Sequence, residues 1–372
     1  NLFFEHPVLA VGGELKNTFC LAIRNYAFLS HHLGDLENLS ALTSFEEGID
    51  HFLRIFHASP RIVACDLHSD YLSTKFAQQY CQNSPSEPEL IPVQHHHAHI
   101  VSCLIDNHCE SKVIGVAFDG VGLGPDRQIW GGEFLVADLT GFTRVAQLKY
   151  LPMPGSEMAI KEPWRMAVTY LNEVYGPDFL SLPLPFLKTL KKDKIMLLLE
   201  IIKKGINSPL TSSMGRLFDA VSALTGLRDR VNYEGQAAIE LEMLVEEKEK
   251  GSYPFEISGQ EKIILIDPKA IIASIVSDLI NGQGKDVIAA RFHNTIARII
   301  LQTCKRIREK QSLNEVALSG GVFQNVYLLR RIHGLLTKAG FSVYTHHQVP
   351  PNDGGISLGQ AAIAHARSRV CV

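Results

Sequence analysis

The feature that most constrains this chain is an order of secondary-structure signals that is read twice. Apolar or β-branched runs at Pro7 to Val11, Thr18 to Arg24 and Tyr26 to Ser30 predict three successive strands, parted by glycine or polar residues. Leu42, Phe45, Ile49, Phe52, Leu53 and Phe56 then recur at helical spacing and predict an amphipathic helix from Ala41 to His57. A strand at Arg61 to Leu67, a helix at Asp70 to Cys81, a strand at Leu90 to Gln94 and a helix running from a histidine cluster to about Asp106 complete the set. The order restarts with strands at Val113 to Phe118, Ile129 to Asp138 and Thr143 to Tyr150. After a long interruption come a strand at Glu315 to Ser319, a helix at Val326 to Ala339, a strand at Ser342 to Thr345 and a last helix from Gly355 to Arg367.

A repeated β-β-β-α-β-α unit predicts an α/β fold of two ribonuclease-H-like lobes, the architecture of actin, sugar kinases and heat-shock ATPases. The expected lobes are 1–110 and 111–372, the second carrying a helical insertion at about 152–312. The strongest helix of the insertion is Val287 to Ile307, with Phe292, Ile296, Ile299, Ile300, Cys304 and Ile307 on one side. Such a scaffold hosts kinases, chaperones, filaments and transferases, so function has to be argued from a site.

Composition narrows the classes. With 46% hydrophobic and 20% charged residues among 372, the chain buries enough surface to offset its ordering entropy, which excludes disorder. Lys plus Arg number 36 against 39 Asp plus Glu, a formal charge of -3, so no basic field draws in nucleic acid or anionic lipid. Apolar stretches such as Ile263 to Ile266 are too short to cross a bilayer, and the first residues carry no signal-peptide pattern, so a cytoplasmic protein is expected. The seven cysteines form no CxxC pair, which speaks against both a disulfide framework and a cysteine zinc site. Opening on Asn1 rather than Met, the sequence reads as part of something longer or as a processed product.

In each repeat the turn after the first strand is rich in glycine. The first holds Gly12, Gly13, Lys16 and Asn17; the second holds Asp119, Gly120, Gly122, Gly124 and Asp126, followed by Gly131 and Gly132. Glycine lets backbone N–H groups approach phosphate oxygens, and Lys16 adds a mobile positive charge. Either turn alone reads as a plain hairpin; their matched positions favour two loops gripping one phosphate chain. A third loop with Gly320, Gly321 and Asn325 leaves a buried strand and enters a helix, a geometry that offers free N–H groups to an anion or ribose, although Asn325 could equally be a helix cap.

The histidine cluster at 95–99 stands at a strand-to-helix junction. On a helix His95 and His99, at i and i+4, lie on one face about 6 Å apart and can share one metal ion, with an i, i+3 pair of His96 and His99 as the second choice. Asp353 is the best candidate for a third, oxygen ligand, and two histidines with one carboxylate suit iron(II) or zinc(II). A polar patch capping the helix is the competing interpretation. No HExxH is present, and His31, His32, His346 and His347 are read as surface or packing residues.

Taken together, VQHHHAH, FDGVGLGPDRQIWGGEF, MPGSEMAIKEPWRMA, GRLFDAVSALTG, YEGQAAIELE, LSGGVFQN and PPNDGGISLGQA resemble the C-terminal half of the HypF hydrogenase-maturation carbamoyltransferases, over nearly the whole chain. More distantly the chain is similar to TsaD-type tRNA threonylcarbamoyl transferases and antibiotic O-carbamoyltransferases. The resemblance implies a cytoplasmic enzyme that takes carbamoyl-adenylate, made from carbamoyl phosphate and ATP, and carbamoylates the C-terminal cysteine of a partner, HypE, on the route to the cyanide ligand of nickel-iron hydrogenase. It implies that His95, His99 and Asp353 bind the metal; Mg is a further candidate ion. It also implies that Gly320, Gly321 and Asn325 hold the adenosine and that Asp219 and Gly235 lie near the ribose. Family members carry acylphosphatase-like, zinc-binding and YrdC-like adenylate-forming domains upstream, so this chain is expected to use a supplied carbamoyl-adenylate.

Rival readings are a tRNA threonylcarbamoyl transferase, against which the acidic balance speaks; a kinase or actin-like ATPase without a transition metal; and a docking module for HypE. Arg165, Glu234 and Gln236 stand in distinctive motifs to which the sequence assigns no role.

Overall fold

The computed structural model describes residues 2–259 and 263–370, so Cys371 lies outside the described residues. Its first sheet comprises β1 (Phe4–Ala10), β2 (Cys20–Arg24), β3 (Tyr26–Leu29), β4 (Ile62–Asp66) and β5 (Glu89–Val93), in the spatial order β3-β2-β1-β4-β5. The helices between these strands are α1 (Leu39–Ile55), α2 (Leu72–Asn83) and α3 (His95–Asp106). The second sheet contains β6 (Val113–Leu123), β7 (Ile129–Ala137), β8 (Phe142–Leu148), β9 (Glu256–Ser258), β10 (Ile264–Asp267), β11 (Glu315–Ser319) and β12 (Ser342–Tyr344), ordered β9-β10-β8-β7-β6-β11-β12. Stripped of β9 and β10, its order is that of the first sheet, with the same antiparallel hairpins and parallel crossovers. This is the duplicated ribonuclease-H-like fold expected from the repeat.

The stretch between β8 and β11 carries α4 (Trp164–Tyr175), α5 (Met214–Leu224), α6 (Gln236–Met243) and α7 (Lys285–Gln311). It is not purely helical, because β10 pairs parallel with β8 and extends the sheet edge. Two helices follow β11, namely α8 (Val326–Lys338) and α9 (Ile356–Val370).

Where the elements sit follows from which faces are apolar. Almost every residue of α3 is buried, as expected for a helix with layers on both sides. Ala98 and Val101 pack with the first sheet, while Ile100, Cys103 and Leu104 pack against the second. The last helix, α9, comes after the second sheet in the chain yet buries Ile356, Ala361, Ile363 and Ala364 against Val8, Ala10 and Ala64 of the first. The connection from α3 to β6, where the lobe boundary is expected, is therefore not the only link between the two halves.

One difference from expectation concerns the second glycine run. The strand expected to end at Phe118 continues to Leu123, with a register shift between Phe118 and Gly122, and the turn is formed by Gly124 to Gln128. Glycine spacing there marks an irregular strand with neighbours pressed against it, which periodicity alone reads as a loop.

Candidate metal and nucleotide site

The histidines are aimed by the start of α3. Gln94 caps the helix by accepting from the His97 N–H at 2.8 Å, and its amide lies 3.1 Å from His96 Nδ1. His97 Nε2 meets the Asp138 carbonyl at 2.7 Å and is engaged elsewhere, while His96, held through Nδ1, keeps a buried Nε2 without a hydrogen-bond partner among the described residues and is not part of the four-residue cluster. His95 and His99 face the same space, and Asp66 at the end of β4 lies 2.8 Å from His95 Nδ1, which leaves Nε2 directed into the site. Asp119 comes from β6, and Asp353 from the loop before α9, where Asn352 accepts from the Gly354 N–H.

The ligand atoms of His95, His99, Asp119 and Asp353 all lie within 4.8 Å of one another. His95 Nε2 is 3.4 Å from Asp119 Oδ2 and 3.7 Å from Asp353 Oδ1; His99 Nε2 is 3.4 and 3.5 Å from the same two oxygens. Both buried Nε2 atoms lack a hydrogen-bond partner among the described residues. The spacing suits a shared cation better than hydrogen bonds: four ligands each about 2.1 Å from one tetrahedral ion lie about 3.4 Å apart. Burial opposes charge on His95, but Asp66 and Asp353 outweigh it and raise its pKa well above the usual value. Burial likewise opposes charge on Asp353, and His95 and His99 outweigh it and hold the carboxyl low. Two imidazoles and two ionised carboxylates are a donor set that fits iron(II) or zinc(II).

Asp119 and Asp353 also line a cavity of about 360 Å³ that reaches between α5, α6 and the loop after β11. Lys16, Gly120, Asp219, Gly235, Gly321 and Asn325 line it too, alongside the apolar Phe218, Ala238, Ile239 and Val322. Asn325 keeps both of its expected roles open: it caps α8 by accepting from Leu328 N–H at 2.8 Å, donates to His293 at 2.8 Å, and borders the cavity. The other glycine-run residues do not line it. The Gly12 N–H donates to the Gln360 side-chain oxygen at 2.9 Å and its carbonyl accepts from the Gln360 side-chain amide at 3.1 Å, and Asn17 donates to the carbonyls of Val11 and Gly13. Gly13 lies against Asp353 and Gly122 against the rings of His95 and His96. Gly124 abuts Trp130, Asp126 accepts from Tyr150 and Trp130 at 2.7 and 2.8 Å, and Gly131 and Gly132 pack on the backbone around Ser212 and Ser213. Gly320, at a φ of 106°, presses on the backbone of Phe118, where a side chain has no room.

The sequence left part of the site unread. Asp119, expected in the glycine-rich nucleotide loop, does line the cavity, and its carboxylate also joins His95, His99 and Asp353. Asp66 and Arg216 went unnoticed, although an acidic residue ending a parallel strand is a cue to a site at that edge. Arg165 pairs with Glu162 at 2.6 Å, and Gln236 accepts from Asn232 N–H at 2.8 Å and donates to Glu240; neither lines the cavity. Among the described residues six cysteines are free, five of them buried, and burial raises Cys20 and Cys65 to about 12, so neither is an activated nucleophile.

Residues 4–106 match the family description "HypF Kae1-like domain", and residues 115–360 match "Carbamoyltransferase, Kae1-like Domain, second subdomain". Carbamoyltransferase HypF of Synechocystis sp. is 38% identical over 99% of this chain and 48% of its own length. A carbamoyltransferase HypF homolog of Cupriavidus necator is 31% identical over 96% of this chain and 91% of its own length. A crystal structure of full-length HypF in the phosphate- and nucleotide-bound form superposes with a TM-score of 0.92 at 44% identity, covering 98% of this chain and 47% of that one. The chain thus spans about half the length of the full-length relatives it matches. The order of two like sheets, the paired histidines beside a cavity and these matches agree, and the chain belongs to the HypF family.

Proposed function

We propose that the chain, with 1–110 and 111–372 as its working lobes, transfers a carbamoyl group from carbamoyl-adenylate to the C-terminal cysteine of a HypE-type acceptor in hydrogenase maturation. The observation that carries this reading is that Asp119 and Asp353 belong both to the four-residue cluster and to the wall of the cavity. An ion and an adenylate would then meet at one place. The nucleotide in the full-length HypF crystal structure supports the same reading. A reducing cytoplasm suits the free thiols.

His95, His99, Asp119 and Asp353 would hold the divalent cation, iron or zinc, which when bound supplies Lewis-acid polarisation of a carbonyl or phosphate oxygen. Phe218, Ala238, Ile239 and Val322 line the cavity as apolar walls for the base, with Gly321, Asn325, Asp219 and Gly235 beside them; Gly320, Gly321 and Asn325 would bound the adenosine, Gly320 from behind the wall, and Asp219 and Gly235 would face the ribose. Lys16, in the cavity wall, would place a positive charge at the leaving phosphate. The acceptor thiolate attacks the carbamoyl carbon, a C–S bond forms, the C–O bond to phosphate breaks, and AMP leaves with both electrons of that bond. Holding donor and acceptor in one cleft lowers the barrier through orientation.

The test supplies carbamoyl-adenylate and a HypE C-terminal peptide to the metal-loaded chain and reads thiocarbamate by mass. Transfer by the wild type that falls at least about a hundredfold in Asp353→Ala supports the reading. An unmodified peptide in both samples, with the adenylate intact, overturns it.

A further inference from the structure

Two cations, Lys16 and Arg216, flank the cavity wall above Gly120, among the carboxylates that line it. Lys16 projects from the first lobe on a left-handed backbone, φ 47°, with its N–H bonded to Asp35 at 2.9 Å. A non-glycine residue held there marks a side chain whose direction is fixed at some cost. Arg216 projects from the first turn of α5, where Ser213 caps the helix and donates to the carbonyls of Asp119 and Gly120. The Arg216 side chain is only 4% exposed and pairs with Asp219 at 2.8 Å, yet its Nε and Nη1 are buried and have no hydrogen-bond partner among the described residues. A guanidinium brought into a cavity wall with donors unfilled has a strong appetite for an anion.

Glu234 supplies a carboxylate at this spot. One oxygen pairs with Lys16 Nζ, and the other lies 3.6 Å from the point a β-carbon on Gly120 would occupy, a point 4.0 Å from Arg216 Nη2. Burial raises the Glu234 carboxyl, and against the pull of Lys16 the carboxylates of Asp353 and Asp119 raise it further. An acidic side chain in an already acidic neighbourhood, facing two cations over a glycine, occupies a place suited to a more highly charged group. The side chain is 38% exposed, so it has somewhere to go.

We infer that Lys16 and Arg216 bracket one phosphate subsite over Gly120, and that Glu234 fills it as a built-in stand-in anion which the phosphate of a nucleotide displaces. The inference rests on the nucleotide reading above and adds to it a cation, Arg216, and a competitor, Glu234. Displacement frees Lys16 and turns it to the phosphate, while the empty subsite stays neutralised.

Calorimetric titration of AMP and of adenosine into the whole chain tests this, because only AMP carries the anion. Glu234→Gln should tighten AMP about tenfold, Arg216→Gln should weaken it about tenfold, and both should leave adenosine within about twofold of wild type. Glu234 is half-exposed, so that variant decides the matter even if Arg216→Gln fails to fold. AMP affinity unchanged or weakened in Glu234→Gln, or adenosine shifting in step with AMP, overturns the subsite while leaving the nucleotide reading intact. A wild-type chain that binds neither compound overturns that reading and the subsite with it.

Discussion

His95 stands between the Asp66 carboxylate on one ring nitrogen and the cluster on the other, and its usefulness depends on both. The pairing of His95 with His99 was readable as the first choice because helical spacing puts i and i+4 on one face, although it left His96 with His99, at i and i+3, as a second. The roles of Asp66, Arg216 and Glu234 were not, since they arise from contacts between segments distant in sequence. Another buried acid gives a direct measurement at this scale. Glu133 in β7 is fully buried; burial raises its carboxyl from 4.5 to about 7, although Ser212 and the N–H groups of Gly131 and Gly132 oppose the shift. A carboxyl whose pKa is raised by folding favours the native state most below 4.5, and that contribution disappears as pH climbs towards 7. Glu133→Gln lacks the titration, so the melting temperature of the variant minus that of wild type should rise between those pH values and level off above. A difference that stays flat with pH contradicts the assignment.

At the scale of elements, the strands and helices of both repeats were legible because each has a clear period of two or 3.6. The β6 extension was not, because a strand with Asp119, Gly120 and Gly122 in it lacks that period. The pairing of β10 with β8 was also hidden, since nothing local tells a strand which edge it joins. Nor did the sequence indicate that α9 returns to the first sheet. The α3–α9 crossing turns on Gly359, where an added β-carbon would strike the Ala98 carbonyl oxygen and lie 2.9 Å from Ser102 N. Both are backbone atoms of α3, so the helices must separate. Gly359→Ala should therefore cost about 1–3 kcal/mol in denaturant unfolding and also weaken metal binding, because α3 carries His95 and His99 while Asp353 precedes α9. Loss of stability with unchanged metal affinity would uncouple the crossing from the site.

Across the whole molecule, four segments meet: the head of α3, the middle of β6, the loop before α9 and, across the cavity, the turn bearing Lys16. Only folding both repeats assembles them, and no single stretch of sequence contains the site. Among the described residues no helix is long and apolar enough to cross a membrane. The central claim is that this convergence holds one divalent cation. The direct measurement is elemental analysis of the chain after loading with iron(II) or zinc(II) and removal of free metal, with circular dichroism confirming that each variant is folded. We predict one ion per chain in the wild type and none in the His95→Ala, His99→Ala double variant. A folded double variant that still carries one ion per chain would contradict the account.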